Sequence, residues 1–429
     1  MINRLKSSRL FLDSFWSLLG NVIGKGLALL SGIFVARILG KEVFGEYSVI
    51  RNTILTIGMF STFGLGYTST KFVADFIRDN SKDIRILIKY ITQATFCFSL
   101  FVGGILFCFA YYISTHFLND ASLAQPLQYL AFLIVFNAIT VSQIGILSGL
   151  KEFKSLAVVN CVIGAITFFT SVIFTYYWGF NGALLSLIAS QVINCICNEI
   201  VIRRKLSQTP IQSTATDKLL IKKVLLFSFP IALQEFIFAA TSWLSMLLLV
   251  RYSGYGELGM YNAAMQWNAI VLFIPGILRN VILAHLSSNT QNKMEYENII
   301  RKTVVINIIC TIIPSVLVFF FSSYINQMYG KTFAGLDSLI SMAVFSTVFL
   351  SIGNVYTQAF TSIGKNWLML CFRFFRDISS LILFVILITY FHINGASAML
   401  IGTLSSGAFF VIYTVITFYM VKNRVTTYT

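Results

Sequence analysis

Charge is scarce in this sequence: only 11% of its 429 residues are Asp, Glu, Lys or Arg. Soluble domains carry about 25%. The several soluble domains that the length alone would suggest are therefore excluded. Histidine is scarcer still, and three widely separated copies leave too little material for a zinc enzyme. Acids number 16 against 31 bases, and no sizeable loop gathers them as a glycosyltransferase or ligase would need. A phosphate-cradling Gly-rich loop is also missing, which excludes an ATPase within the chain. The seven cysteines do not form a disulfide framework. All lie in apolar runs, where a thiol behaves as a small hydrophobe. Cys195 and Cys197, two apart on a helical pattern, place their sulfurs on different faces. No metal and no cofactor are expected.

What is present is apolar. Hydrophobic residues make up 57% of the chain, 41 of them Phe, and the mean hydropathy is +0.81. A spanning helix needs about 20 mostly apolar residues. Such runs fall at roughly 11–37, 44–67, 86–113, 122–149, 155–177, 181–202, 221–250, 257–283, 301–325, 334–361, 367–391 and 394–421. The expected fold is an all-α integral membrane protein with twelve transmembrane helices. The first run is too long for a cleavable signal and lacks a small-residue cleavage site, so it reads as a retained helix.

The bases set the orientation. Most of the 31 Lys and Arg fall in alternate segments, such as Arg4, Lys6 and Arg9, then Lys71 to Lys89, Arg203 to Lys205, and Lys422 with Arg424. The loops near 114–121, 178–180 and 392–393 hold none. This is the positive-inside pattern, and it places both termini in the cytoplasm. The net charge of +15 is spread over short segments facing anionic headgroups, which fits membrane lipids and not nucleic acid.

The longest polar stretch, 203–220, divides the chain into two sets of six spans, 1–202 and 221–429. A shift of 214 residues superposes them. It carries Arg37, Gly45 and Tyr47 onto Arg251, Gly259 and Tyr261, and Ser148 and Lys151 onto Ser362 and Lys365. With one residue of slippage, Asn181-Gly182-Ala183 falls on Asn394-Gly395-Ala396. Six spans per half is an even number, so both halves enter from the same side. Two six-helix bundles related by a pseudo-two-fold axis along the membrane normal, enclosing a central cavity, are expected.

The run Phe15-Trp16-Ser17-Leu18-Leu19-Gly20-Asn21-Val22-Ile23-Gly24-Lys25, followed by Ala36-Arg37-Ile38-Leu39-Gly40 and Phe44-Gly45-Glu46-Tyr47, resembles the opening of the Wzx-type oligosaccharide flippases. These belong to the multidrug/oligosaccharidyl-lipid/polysaccharide exporter superfamily. The resemblance spans the whole chain in length, span count and repeat, and its specific part lies in the first ~75 residues. It implies a bacterial inner-membrane transporter, not an enzyme. The cargo would be an undecaprenyl-pyrophosphate-linked oligosaccharide for O-antigen or capsule, moved from the cytoplasmic to the periplasmic leaflet. It also implies polysaccharide polymerase or assembly proteins as partners, and a cavity lined by the first two helices of each half. The alternative within the superfamily is a cation-coupled multidrug exporter, for which acids in excess are expected in the cavity.

An ionisable group at membrane depth is expensive, so it faces water or a partner. Lys25 lies roughly 20 Å along the first span, with Asn21 one turn earlier on the same face. Its repeat-mate is Glu235. Two readings stand: an ion pair between Lys25 and Glu235, or a contact from Lys25 to an anionic headgroup. Arg51 and Asn52 sit about two turns inside the second span, either lining the cavity or snorkelling outward. The mate of Asn52 is Gln266, beside Trp267 and Asn268. Amides and an indole suit a sugar-accepting wall and equally suit interhelical bonding. Arg279 follows Pro275 toward the inner end of the eighth span, with a cavity role and a snorkelling role both open. Arg373 and Asp377 read as an i,i+4 pair, and Arg37 and Arg251 as architectural helix ends.

Overall fold

A computed structural model describes the backbone of residues 2–62, 64–78, 84–118, 120–207, 218–288, 293–363 and 365–425. Side chains at 1–19, 21, 208–238, 421–429 and a few other positions lie outside the described residues. Eleven α-helical runs follow in order: α1 (Ile2–Ser61), α2 (Leu65–Arg78), α3 (Ile84–His116), α4 (Ala124–Gly149), α5 (Phe153–Ser207) and α6 (Lys218–Val271). Then come α7 (Phe273–Ser288), α8 (Lys293–Tyr329), α9 (Leu336–Ser362), α10 (Asn366–Phe391) and α11 (Gly395–Val425). No strand occurs among the described residues. Among the described residues, seven helical stretches are long and apolar enough to cross a membrane, and the chain is a multi-pass membrane protein.

Helices dominate because lipid supplies no hydrogen-bond partners, so every backbone group must be satisfied within its own segment. The hydroxyls follow the same rule. Thr95, Thr140, Thr311 and Thr357 each donate to the carbonyl four residues back, at 2.8 Å. Three runs are much longer than a bilayer is thick. At 1.5 Å per residue, the 60 residues of α1 would make a rod of about 90 Å, against a hydrocarbon core of about 30 Å. Each long run is broken at one residue: α1 at Gly40 (φ 74°), α5 at Gly179 (φ 54°) and α6 at Gly254 (φ 82°). Only glycine adopts such a φ without steric cost. Gly40 and Gly254 are separated by the offset that carries Arg37 onto Arg251, so the sequence repeat extends to a backbone device. Gly179 finds its counterpart in His392 (φ 51°), which ends α10.

The expected second and eighth spans are each two pieces. Helix α1 stops at Ser61 and restarts as α2 at Leu65, while α6 stops at Val271 and α7 begins at Phe273. A single apolar run in the sequence did not distinguish these breaks from continuous helix.

The chain forms two compact units. The first comprises 1–39 and 46–247, and the second comprises 40–45 and 248–429. In the first unit α4 packs against α2, α3 and α5. Small residues bring the backbones together: a Cβ on Gly145 would lie 3.0 Å from the Gly66 carbonyl carbon, and Thr70 Oγ1 donates to Gly145 O at 3.1 Å. Its core is aliphatic, built on Leu65, Val73, Leu87, Ile91, Ile146 and Leu147. In the second unit α9 packs against α8 and α11. That core is aromatic, centred on Tyr296, Tyr356, Phe360, Phe410 and Phe418. Phe418 stacks on Tyr296 and meets Phe360 edge-on at 5.6 Å.

Candidate functional site

The first piece of α1 is fixed by glycines. A Cβ on Gly20 would come within 2.5 Å of Ala157 Cα, and one on Gly164 would lie 3.2 Å from Gly24 Cα. Such small residues let two membrane helices approach at backbone distance. One and two turns further, Leu27 packs on Gly164 and Ser31 shares a 2.6 Å hydrogen bond with Ser171. Residues 20, 24, 27 and 31 therefore form the face of α1 that meets α5. At 100° per residue, Lys25 falls about 140° round from Gly20, on the opposite side. Lys25 is exposed, as are Val22 and Ile23. Asn21 shares its register, and its side chain lies outside the described residues.

The second piece of α1 repeats the arrangement with a different cation. Ile50, Thr53 and Ile54 are fully buried, whereas Arg51, Leu55 and Met59 form an exposed row at i, i+4, i+8. Tyr47 sits one turn before Arg51, close enough for the guanidinium charge to act on its hydroxyl. Asn52, beside Arg51, is half-buried. The reverse face is held by Trp243, whose Nε1 donates to Thr53 Oγ1 at 3.0 Å. The Trp243 indole also meets Phe117 at 5.7 Å. The sequence reading passed over Trp243. Nothing local marks a residue whose partner lies 190 positions away.

In the second unit the polar residues near Gln266 separate into two kinds. Asn268 is structural: it is buried and donates to Ala343 O at 2.7 Å and to Ser346 Oγ at 3.0 Å. Trp267 donates to the Tyr329 hydroxyl at 3.2 Å. Gln266 differs, since its Oε1 is buried and accepts no hydrogen bond in the structure. A buried acceptor left unsatisfied costs about 1–3 kcal/mol. Glu235 and Arg279 stand on α6 and α7, with side chains outside the described residues. The Lys25–Glu235 pairing is thus a matter for experiment.

The deep cation of the second unit is differently placed. Arg376 donates from Nε (2.8 Å) and Nη2 (2.7 Å) to Asp377 Oδ1. Its guanidinium lies 5.1 Å from the Phe410 ring. The two side chains are 19% and 24% exposed. Beside them Tyr413 donates to Phe372 O at 2.7 Å. The sequence assigned Asp377 to Arg373, and the structure adds Arg376 as its bidentate donor.

With this geometry in view, the comparisons with known proteins are specific. The polysaccharide biosynthesis protein family matches residues 10–288. The chain belongs to that family. An uncharacterized membrane protein of Methanocaldococcus jannaschii is 24% identical over 92% of this chain and 95% of its own length. The EPS I polysaccharide export inner membrane protein EpsE of Ralstonia nicotianae is 23% identical over 63% of this chain and 61% of that one. A Shigella flexneri protein named as an O-antigen transporter is 19% identical over 82% and 85%. Among solved structures, an inward-facing multidrug resistance MATE family transporter of the MOP superfamily matches with a TM-score of 0.77 at 14% identity, covering 95% of this chain and 99% of that one. An outward-facing transporter of that kind matches at 0.67 and 15% identity, covering 96% and 95%. At such identities the likeness fixes the fold. The chain is accordingly a multi-pass membrane protein of the polysaccharide biosynthesis protein family with the fold of the MATE transporters.

Proposed function

We propose that this transporter is a flippase for polyprenyl-pyrophosphate-linked oligosaccharides, working by alternating access in the bacterial inner membrane. The observation that carries the reading is Lys25. It is exposed on the side of α1 opposite the glycine face that packs on α5, at a depth where a lysine cannot rest against lipid tails. A water-filled path along that side satisfies both facts. The cargo's diphosphate cannot cross hydrocarbon unaided for the same reason. Fixed cations at Lys25 and Arg51 lower its barrier while the prenyl tail stays in lipid. Family membership and the export names of two relatives support the substrate class.

The topology belongs to the same proposal. The glycine breaks in α1, α5 and α6 divide these runs into consecutive crossings, and twelve spans result when α2 and α7 complete the second and eighth. Both termini then lie in the cytoplasm. Exposed tyrosines at one end of the helices, Tyr111, Tyr176, Tyr177, Tyr324 and Tyr390, suit the outer interface, and the basic segments suit the inner one. The two halves relate by a pseudo-two-fold axis along the membrane normal, and polymerase or assembly proteins receive the product. The multidrug alternative calls for an acid facing an organic cation; Asp377 is bonded to Arg376, and the side chain of Glu235 lies outside the described residues.

The test is reconstitution in liposomes with a fluorescent lipid-linked oligosaccharide. Headgroups should become accessible to an external quencher only with the protein present. Transport of cationic dyes with no effect on the lipid-linked sugar would replace the flippase reading with the drug-exporter one.

A further inference from the structure

Where α3, α4 and the end of α5 meet, the first unit buries polar side chains in one layer. The aliphatic cluster of that unit joins Ile91, Leu147 and Ile202. One turn from each of these stands a polar residue: Thr95 on α3, Gln143 on α4 and Asn198 on α5. Their exposures are 0%, 2% and 1%. Helix direction puts them at one level. A Cβ on Gly103 of α3 would lie 3.8 Å from Val135 Cγ2 of α4. Thr95 precedes Gly103 by the same two turns by which Gln143 follows Val135. Gln143 Nε2 in turn donates to Glu199 Oε2 at 3.2 Å, which sets Asn198, the residue before Glu199, beside it.

This layer has oxygens without donors. Gln143 Oε1 and Asn198 Oδ1 are buried and accept no hydrogen bond among the described residues. Turning the Gln143 amide round would set its oxygen against the Glu199 carboxylate, so the charge fixes its orientation. Asn198 Nδ2 is taken by Asn194 Oδ1 at 3.0 Å. Thr95 Oγ1 spends its proton on Ile91 O at 2.8 Å and keeps acceptor capacity. The Cys195 thiol, within reach of Gln143 and Thr140, is a weak donor and leaves Gln143 Oε1 unsatisfied. The fold does not require such a layer. At the corresponding positions the second half has Ile309, Thr357 and, with one residue of slippage, Val411. A polar layer in one half that is largely aliphatic in the other points to a ligand and not to packing.

We propose that the Thr95–Gln143–Asn198 layer binds a small monovalent cation. Neutral carbonyl oxygens replace the hydration shell of an alkali cation, whereas calcium and magnesium call for carboxylates. Among the described residues no three acids, cysteines or histidines gather to hold a metal ion. A carboxylate stands at the edge of the layer: Glu199, bonded by Gln143 on one oxygen and by Arg203 Nε at 2.7 Å on the other. The Arg203 side chain is 78% exposed, so water screens that countercharge. The carboxylate then favours a cation on the far side of the Gln143 amide. Such binding needs no cargo, and it is measured without transport.

Melting of the full chain in detergent at constant ionic strength is the test. Replacing choline chloride by sodium chloride should raise the melting temperature by about 3 °C or more, since an ion bound only by the folded protein stabilises it. Radiolabelled sodium should bind saturably. Asn198→Leu and Gln143→Leu should each abolish the sodium-dependent rise, and Thr95→Val, equal in shape, should reduce it. In choline chloride Asn198→Leu should melt no lower than the parent, because it removes a buried oxygen that lacks a donor and nearly keeps the volume. That result separates ion binding from packing, whose loss would lower melting in both salts. Equal melting of the parent in sodium and choline chloride, with no saturable sodium binding, would leave an ordered water only in the layer and overturn the site. A sodium-dependent rise that persists undiminished in both leucine variants would place the ion elsewhere and overturn it equally.

Discussion

The two units each carry a cation on a long apolar helix and surround it differently. In the second unit Arg376 is bonded twice to Asp377 and set over the Phe410 ring, within an aromatic core. In the first unit Lys25 stands exposed on a helix whose other face is occupied by glycine packing, and the core of that unit is aliphatic. A cation over an aromatic face and beside its own acid is neutralised locally. On a glycine-packed helix, the cation stands on the face turned away from that packing. The difference teaches that a cation in an apolar helix is not by itself a substrate site. What distinguishes the two is the surface on which the fold sets the charge.

The largest effect is expected from breaking the second unit's arrangement. Asp377→Ala leaves Arg376 uncompensated among apolar neighbours, and removal of one partner of a buried pair costs about 3–5 kcal/mol. The variant should melt at clearly lower temperature in detergent. Replacing both residues, Arg376→Met with Asp377→Leu, should recover most of the loss. A single variant as stable as the parent would dissolve the contrast between the units, because Arg376 would then be no more structural than Lys25.

Lys25→Ala sharpens the contrast from the other side. Its melting temperature should stay near the parent's while flipping falls about tenfold or more, since a charge-assisted hydrogen bond contributes about 1.5–3 kcal/mol and 1.4 kcal/mol is one decade. Lys25→Arg should retain more activity than Lys25→Ala, because the phosphate requires charge before geometry. Arg51→Ala should behave like Lys25→Ala. If Lys25→Ala lost stability to the same degree as Asp377→Ala, Lys25 would be one arm of a structural bridge, with Glu235 the first partner to test.

Much of this was legible in the sequence, and the failures are instructive. The repeat was readable because Arg37, Gly45 and Tyr47 recur at one offset, and the structure adds Gly40 and Gly254 at that same offset as paired breaks. Apolar runs located the helices but not the breaks after Ser61 and Val271, since the apolar composition does not change across them. The pairing of Arg376 with Asp377 gave no sign in the sequence for a geometric reason. Adjacent residues on a helix do not normally face one another, so the i,i+4 rule pointed to Arg373 alone, and the long Arg376 side chain bends back to its neighbour. Asn268 looked equivalent to Gln266 in sequence and is not. One amide is satisfied by α9 and the other keeps an orphaned oxygen, a distinction that only tertiary packing creates.

The smallest effect lies where the end of α5 meets the turn after α4, at a charge pair partly open to solvent. Lys205 Nζ bonds Glu152 Oε1 at 2.6 Å, with side chains 44% and 22% exposed, and Ser155 Oγ donates to Glu152 Oε2 at 2.9 Å. Partial burial pushes the Glu152 carboxyl upward. The hydrogen bonds from Lys205 and Ser155 and the Lys205 charge outweigh it, and its pKa is held below the ordinary value. A carboxyl whose folded pKa is depressed stabilises the fold above its unfolded pKa, and that stabilisation is lost as pH falls through the folded value. Glu152→Gln should therefore lower stability at neutral pH by no more than about 1 kcal/mol, the usual ceiling for a solvent-screened pair. The difference from the parent should shrink as the pH drops through the acid range where Glu152 titrates, and added salt should shrink it at neutral pH. Melting curves of the two proteins at several pH values measure this directly. A deficit that persists undiminished at the acid end would place the contribution in packing of the Glu152 side chain and not in its charge.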